Sequence, residues 1–264
     1  IKRKFAKVFF SEYIEGHKMN KRNAILVTGA SGKIGYEIFK ELIEKNFDVI
    51  GTYSKKKSKK NQKKKNQNIF IKKFDQSNIK DVKNLIKFIN KKNLNLTGVV
   101  NCAVLRPMKK GSNDSFKNWE KSIKTNSNSI YLLNSYFCNF FTKKKFGRII
   151  NIGSIYSYIG PDFKLYKGEN FELEPDYIFN KFGMVGLTKY FASKFGKNNI
   201  TVNMISPGGV LSNQSKSFKL KYSKKTFLNR MANRNEIFGL VDYILSRKSS
   251  YLTGQNIILD GGYT

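Results

Sequence analysis

The chain has 264 residues, of which 40% are hydrophobic and 14% aromatic. This is enough apolar material for one large α/β domain, and it argues against wholesale disorder. The formal net charge of +32 (50 basic minus 18 acidic residues) is spread through a chain rich in Lys and Asn. That spread favours biased composition over specific nucleic-acid recognition, for which the planar guanidinium of Arg is better suited.

The expected location is the cytoplasm. Two cysteines, Cys102 and Cys138, are too few for a disulfide framework and suit a reducing compartment. The apolar runs are strand-sized and interrupted, so we expect no membrane span, and the basic start has no secretory signal pattern. Residues 1–21, which contain the first methionine at Met19, are predicted to be an N-terminal extension; a short accessory helix is the alternative.

Strand and helix patterns alternate along the rest of the chain. Alternation of this kind predicts one domain over residues 22–264, with a parallel sheet that carries helices on both faces. A solvated loop is expected at the lysine-rich residues 55–65. Strands are predicted at 24–28, 47–54, 69–74, 96–104, 147–154, 200–206 and 255–260, and helices near 34–43, 82–89, 116–144, 176–196 and 237–245.

The sequence TGASGKIG (28–35) lies between the first strand and the first helix. Its glycines permit a tight turn, close approach to a pyrophosphate and close packing of the helix on the strand, while the helix N-terminus attracts phosphate. A glycine-rich turn that binds no dinucleotide is the alternative. The residues predicted to bind cofactor here are Gly29, Ser31, Gly32, Ile34 and Gly35.

The end of the second strand favours NADP over NAD. The acidic residue that would hold an NAD ribose is missing, and Ser54 is followed by Lys55, Lys56 and Lys57. Ser54 and Lys55 are therefore predicted to accommodate a 2′-phosphate.

Eight motifs then appear in the order typical of one family, the short-chain dehydrogenases/reductases, which the chain resembles over about residues 22–264. They are TGASGKIG (28–35), Asp75, NCA (101–103), Asn126, INIGS ending at Ser154, Tyr177-xxx-Lys181, SPGGVLS (206–212) and YLTGQNIILDGG (251–262). The resemblance implies a single-domain Rossmann-type doubly wound sheet and an NAD(P)-dependent oxidoreductase. It also implies a homodimer or homotetramer formed through the helices near 116–144 and 176–196, and it implies no metal.

The resemblance makes Tyr177 and Lys181 a catalytic pair. Four residues apart on a helix, the two side chains share a face, and the ammonium lowers the pKa of the phenol. Tyr177 would exchange a proton with the substrate oxygen while hydride moves to or from the nicotinamide. By the same resemblance Ser154 would position that oxygen, Lys181 would also hold the nicotinamide ribose, and Asn126 would support a water chain to Lys181.

Further cofactor contacts follow from the resemblance by position. Asp75 would contact adenine and Asn101 the adenosine ribose, with Ala103 beside them. Pro207, Gly208 and Val210 would frame the nicotinamide together with Tyr177 and Lys181, and Ser212 replaces a usual threonine.

Two departures from the family pattern bear on activity. The middle glycine of the turn comes one residue early, giving GxxGxxG, as in extended relatives that modify sugar nucleotides. The family's NNAG reads Asn-Cys-Ala-Val here, so Val104 places a side chain where glycine allows close approach to the cofactor.

The stretch between Ser154 and Tyr177 is longer than expected for the family and reads as an active-site insertion at 155–176. It contains five acidic residues (Asp162, Glu169, Glu172, Glu174, Asp176) and five aromatic ones (Tyr156, Tyr158, Phe163, Tyr166, Phe171). Aromatic rings and carboxylates suit a sugar-like substrate. A self-packed loop or an oligomer contact is the alternative.

PDFKLYKG, EPDYIFNKFG and SPGGVLSNQ are also similar to a subgroup associated with flagellin modification and legionaminic-type sugar biosynthesis. The leading hypothesis is an NAD(P)-dependent oxidoreductase that interconverts a carbonyl and an alcohol on a sugar or sugar phosphate. One alternative is a 3-oxoacyl-carrier-protein reductase-like enzyme, whose acidic carrier would dock on the basic surface. Another is a non-catalytic nucleotide-sensing or nucleic-acid-binding protein, which the intact Ser154–Tyr177–Lys181 set disfavours.

Overall fold

A computed structural model describes residues 21–54 and 67–264; most of the predicted extension and the lysine run at 55–65 lie outside these residues. Seven strands form one parallel sheet in the order β3-β2-β1-β4-β5-β6-β7. The strands are β1 (Asn23–Thr28), β2 (Asp48–Tyr53), β3 (Ile69–Lys73), β4 (Asn95–Asn101), β5 (Gly147–Ile152), β6 (Ile200–Pro207) and β7 (Asn256–Leu259).

Helices cover both faces of the sheet, which confirms the predicted doubly wound α/β fold. Within the described residues they are α1 (Lys33–Glu44), α2 (Ile79–Lys91), α3 (Phe116–Thr125), α4 (Ser127–Thr142), α5 (Pro175–Phe195), α6 (Lys216–Ser223) and α7 (Glu236–Leu245). No helix in this part of the chain is long and apolar enough to cross a membrane.

The core consists of two apolar layers, one on each side of the sheet. One layer packs α2, α4 and α5 against the strands, and the other packs α1 and α7. Neighbouring residues of β1 alternate between the layers, with Leu26 in the first and Ile25 and Val27 in the second. A strand buried on both faces reads as a continuous apolar run, which is why AILV was recognisable as a central strand.

The prediction of one long helix over 116–144 is wrong. Two helices, α3 and α4, meet at Asn126, whose backbone dihedrals (φ −100°, ψ −65°) depart from helical values. The Asn126 side chain bonds to the backbone of Leu105 instead of facing solvent. The interruption at Asn126 thus coincides with a contact to the loop after β4, which helical periodicity does not reveal.

The strand order places a crevice between β1 and β4. The chain runs outward from β1 through β2 to β3, and then returns to the other side of β1 with β4. Open parallel sheets bind ligands at such a reversal, beyond the carboxyl ends of the strands. The glycine-rich turn after β1 and the NCA segment after β4 both lie at this edge.

Candidate active site

The glycine-rich turn is packed too tightly for side chains. Gly29 has a positive φ of +69°, and a Cβ there would lie 2.7 Å from the Cα of Ala103. A Cβ on Gly35 would lie 2.3 Å from the carbonyl oxygen of Gly29. The turn thus brings the end of β1 against the end of β4 and leaves the N-terminus of α1, which follows Gly32, facing the crevice.

The segment after β4 is fixed by hydrogen bonds to β1. The Thr28 hydroxyl accepts from the backbone amides of Cys102 (3.1 Å) and Ala103 (3.2 Å). Val104 is 49% exposed at this edge. The predicted cofactor residue Ala103 therefore lies at the carboxyl edge of the sheet, beside the crevice between β1 and β4.

Asn101 is buried, and its side-chain amide is engaged inside the protein. Its Nδ2 donates to the Oδ1 atoms of Asn134 (3.1 Å) and Asn151 (2.8 Å), and Asn151 donates in turn to Thr188. The side chain thus links β4 to α4, β5 and α5. The Nδ2 of Asn101 is therefore engaged by protein partners, and the predicted contact with the adenosine ribose stays a prediction.

The other predicted cofactor residues surround the same edge of the sheet. Ser31 and Ser54 are exposed, and Ile34 packs against the α1 layer. Asp75 is exposed and accepts from Ser77. Lys55 lies outside the described residues.

The loop after β6 forms the opposite wall of the crevice. Pro207 ends β6, Gly208 donates to the carbonyl of Leu259 (2.9 Å), and Val210 pairs with Ala232. Lys33, in the glycine-rich turn, donates from its Nζ to the hydroxyl of Ser212. This contact joins the two walls, and it was missed in the sequence because one lysine among so many carried no signal.

Tyr177, Lys181 and Ser154 come together as predicted. Tyr177 and Lys181 lie on α5, with the Lys181 Nζ 5.5 Å from the Tyr177 ring centroid. Ser154, which follows β5, is buried, and its hydroxyl interacts with the Tyr177 side chain. The Nζ of Lys181 donates to the carbonyl of Ile152 (2.7 Å), so the end of β5 holds both the lysine and the serine.

The surroundings of Tyr177 favour proton exchange. Burial by itself raises the pKa of a phenol, but the charges of Lys181 and Arg106 and polar contacts with Ser154 outweigh it, so that the Tyr177 pKa lies below its usual value. Burial also lowers the pKa of Lys181, against the opposing influence of Tyr177. A phenol with a lowered pKa can pass a proton in either direction near neutral pH.

Asn126 does not direct its side chain toward Lys181. Its Oδ1 accepts from the Leu105 amide (2.9 Å), and its Nδ2 donates to the Leu105 carbonyl (2.8 Å) and to the Ser122 hydroxyl (3.0 Å). All of these groups belong to the protein. The side chain of Asn126 therefore fixes the loop after β4, and the predicted support of a water chain to Lys181 stays a prediction.

That loop carries Arg106, which sequence reasoning missed. The guanidinium carbon lies 4.0 Å from the centroid of the Tyr177 ring, within the range of a cation–π contact. The one available signal was rarity, since only seven of the 50 basic residues are arginines.

The insertion at 155–176 folds as a self-packed cap, which was the alternative interpretation. Tyr166 contacts Phe163, Phe171 and Phe218, and its hydroxyl hydrogen-bonds to that of Tyr156 (2.9 Å). Phe218 lies on α6, so the cap is anchored to that helix. Tyr158 is the most exposed of the insertion's aromatic residues, at 62%.

The carboxylates of the cap also have protein partners. Asp162 pairs with Lys225, Glu169 accepts from Ser215 (2.6 Å), and Glu174 accepts from the Gly111 amide (2.8 Å). These bonds give three of the five acidic residues of the insertion a partner within the protein. The suggestion that these three carboxylates bind substrate hydroxyl groups is therefore not supported by the packing.

Comparison with known proteins agrees with this geometry. The family described as Enoyl-(Acyl carrier protein) reductase matches residues 29–264. The 3-oxoacyl-[acyl-carrier-protein] reductase FabG of Buchnera aphidicola subsp. Schizaphis graminum is 31% identical over 252 residues, 93% of this chain and 98% of that protein. The post-translational flagellin modification protein A of Campylobacter coli is 31% identical over 143 residues, 54% of this chain and 56% of that protein.

The fold of this chain also matches that of a solved dehydrogenase structure. The short chain dehydrogenase of Leptospira borgpetersenii serovar Hardjo-bovis, solved with bound NAD+, superimposes with a TM-score of 0.85 at 30% identity and covers 95% of this chain and 99% of that one. The chain belongs to the short-chain dehydrogenase/reductase family, and it is an NAD(P)-dependent oxidoreductase. The predicted fold and enzyme class are confirmed, and the alternative of a non-catalytic protein loses its support.

Proposed function

We propose that the enzyme interconverts a ketone and a secondary alcohol, with Tyr177 as the proton donor and acceptor. The contact set of Tyr177 with Ser154, Lys181 and Arg106 is the observation that supports this role. Ser154 orients the substrate oxygen, and the charge of Lys181 keeps the phenol acidic. The nicotinamide, when bound, supplies or accepts the hydride.

The proposed cofactor site is the crevice between β1 and β4. The residues assigned to it are Gly29, Ser31, Gly32, Ile34, Gly35, Ser54, Asp75, Ala103, Pro207, Gly208, Val210 and Ser212, with the backbone of Asn101 and with Lys33 added. Lys33 bridges to Ser212 across the crevice and brings a positive charge to the place where the turn receives a pyrophosphate. NADP is the proposed preference, supported by the absence of a carboxylate at Ser54 and by the lysines that follow it in the sequence.

The proposed substrate is a sugar or sugar phosphate of surface-glycan or flagellin-glycan biosynthesis. Similarity to a flagellin modification protein supports this setting, although it covers about half of each chain. A 3-oxoacyl thioester on an acidic carrier protein is the second candidate. It is supported by the full-length similarity to an acyl-carrier-protein reductase and by the +32 charge, which would attract an acidic carrier.

Measuring NADPH consumption distinguishes the two proposed substrate classes, sugars and 3-oxoacyl thioesters. The purified enzyme is assayed with a panel of keto-sugars and sugar phosphates, and in parallel with a 3-oxoacyl-carrier protein and its pantetheine analogue. We expect turnover of at least one keto-sugar and little turnover of the thioesters. The opposite pattern would replace the sugar proposal with the acyl-carrier one, and no turnover of either panel would contradict both.

We also propose a cytoplasmic location and assembly into a homodimer or homotetramer. Two cysteines without a disulfide, Cys102 and Cys138, support the cytoplasmic location.

Exposed aromatic side chains on α4 and α5 support the homo-oligomer, because a large exposed apolar face marks an interface. These side chains are Tyr131, Phe179, Phe182 and Tyr190. Light scattering on the purified chain tests the assembly.

A further inference from the structure

Arg106 holds a fixed position beside the proposed reaction centre. Its neighbour Leu105 is bound through both backbone groups by the side chain of Asn126. Pro107 follows and restricts the backbone on the other side. The guanidinium then lies over the Tyr177 ring at 4.0 Å. An arginine at the surface of a mobile loop would show none of these restraints.

The charge of Arg106 is available to a ligand. Its side chain is exposed, and no carboxylate within residues 21–54 or 67–264 forms an ion pair with it. Three of the five cap carboxylates, Asp162, Glu169 and Glu174, have other partners within the protein. A guanidinium presents five N–H donors in a planar fork that matches a carboxylate or phosphate.

The charge of Arg106 also acts on Tyr177 and Lys181. Burial raises the pKa of Tyr177, and the charge of Arg106, after that of Lys181, lowers it. Burial lowers the pKa of Lys181, and Arg106 lowers it further, so Arg106 lies near both side chains. A group bound by Arg106 would therefore be attached close to the carbonyl that Tyr177 protonates.

We propose that Arg106 binds an anionic group of the substrate, a carboxylate or a phosphate, next to the reacting carbonyl. The proposal rests on the proposed function and narrows its substrate class to keto-acids, keto-sugar acids and keto-sugar phosphates. It disfavours neutral thioesters, whose reacting carbonyl has no anion beside it. The rival role for Arg106 is to tune the Tyr177 pKa without touching substrate.

The test uses substrate pairs in which one member carries the anionic group and the other is its neutral ester or unphosphorylated parent. Acetoacetate is compared with ethyl acetoacetate, and dihydroxyacetone phosphate with dihydroxyacetone, so that carboxylate and phosphate are examined separately. The variants are Arg106→Gln and Arg106→Lys, and the control is Lys109→Gln, which removes an exposed charge from the same loop. NADPH affinity is measured for each variant to show that the fold is retained.

We expect Arg106→Gln to lose activity selectively with the anionic substrates. Arg106→Gln should lower kcat/KM for one anionic member by about 10- to 100-fold, the value of a charge-assisted hydrogen bond, and leave its neutral partner much less affected. Arg106→Lys should be intermediate, because a point charge lacks the planar fork, and Lys109→Gln should match the wild type. Equal losses for both members of each pair, with a shifted pH profile, would overturn substrate binding and leave the tuning role.

Binding of anions without turnover separates this proposal from the proposed function. Succinate and inorganic phosphate are titrated into the enzyme–NADPH complex by calorimetry, for the wild type and for Arg106→Gln. Binding that is lost in the variant supports the anion site even where no ketone in the assay is reduced. Absence of binding to the wild type, together with no preference for the charged substrates, would overturn the proposal while leaving catalysis intact.

Discussion

Replacing Tyr177 by Phe is expected to lower kcat by about 10²- to 10⁴-fold, the range attributed to a positioned acid–base group. The substitution removes the hydroxyl and its polar contacts with Ser154 and Arg106. It keeps the ring, and with it the cation–π contact with Arg106 (4.0 Å) and the packing against the buried residues of the cap. Affinity for NADPH should therefore remain near the wild-type value. The measurement is steady-state turnover alongside a fluorescence titration with NADPH.

The matched control is Tyr251→Phe, which removes a hydroxyl from a fully exposed tyrosine. It should behave as the wild type in both assays. Wild-type turnover in Tyr177→Phe would show that another group moves the proton. A loss of cofactor affinity equal to the loss of turnover would instead assign Tyr177 a binding role.

Replacing Lys181 by Met has the second large effect. The substitution removes the bond from Nζ to the Ile152 carbonyl (2.7 Å) and also the charge that lowers the Tyr177 pKa. In the oxidation direction Tyr177 must accept a proton, so the rate rises with pH through its pKa. Because that pKa increases without Lys181, the rising limb should move to higher pH, and kcat/KM at neutral pH should fall by about 10²-fold or more.

The pH profile distinguishes this account from simple loss of a structural contact. A variant that is only misfolded loses activity at every pH, whereas Lys181→Met should recover part of its activity in alkaline buffer. Lys197→Met, which replaces an exposed lysine just beyond α5, should leave the profile unchanged. A reduced rate with the limb in its original place would contradict the electrostatic role assigned to Lys181.

Most of the fold was predictable because its strands are buried on both sides. Such strands read as uninterrupted apolar runs, and the alternation with helices then leaves few arrangements other than a parallel sheet. The glycine-rich turn could also be predicted from the local sequence. Gly29 and Gly35 have no room for a Cβ, so the turn requires glycine at these positions. Tyr177 and Lys181 were identified by their spacing together with the order of the surrounding motifs.

What escaped prediction depends on contacts between distant parts of the chain. The helix interruption at Asn126 accompanies its bonds to Leu105, and the cap packs against Phe218 on α6. The stack of Arg106 on Tyr177 joins the loop after β4 to α5, and no local sequence pattern relates the two. For the same reason the sequence left open whether the insertion binds substrate or packs on itself, because the protein partners of Asp162, Glu169 and Glu174 are distant in the chain.

The most direct test of the account is a titration of the purified enzyme with NADPH and with NADH, followed by nicotinamide fluorescence. We expect saturable binding of both NADPH and NADH, with NADPH the tighter ligand. The binding site is the crevice whose walls are joined by Lys33 and Ser212. A preference for NADH would keep the active site and remove the argument from Ser54 and the lysines after it. Failure to bind either nucleotide would contradict the central claim that this crevice brings a nicotinamide to Tyr177.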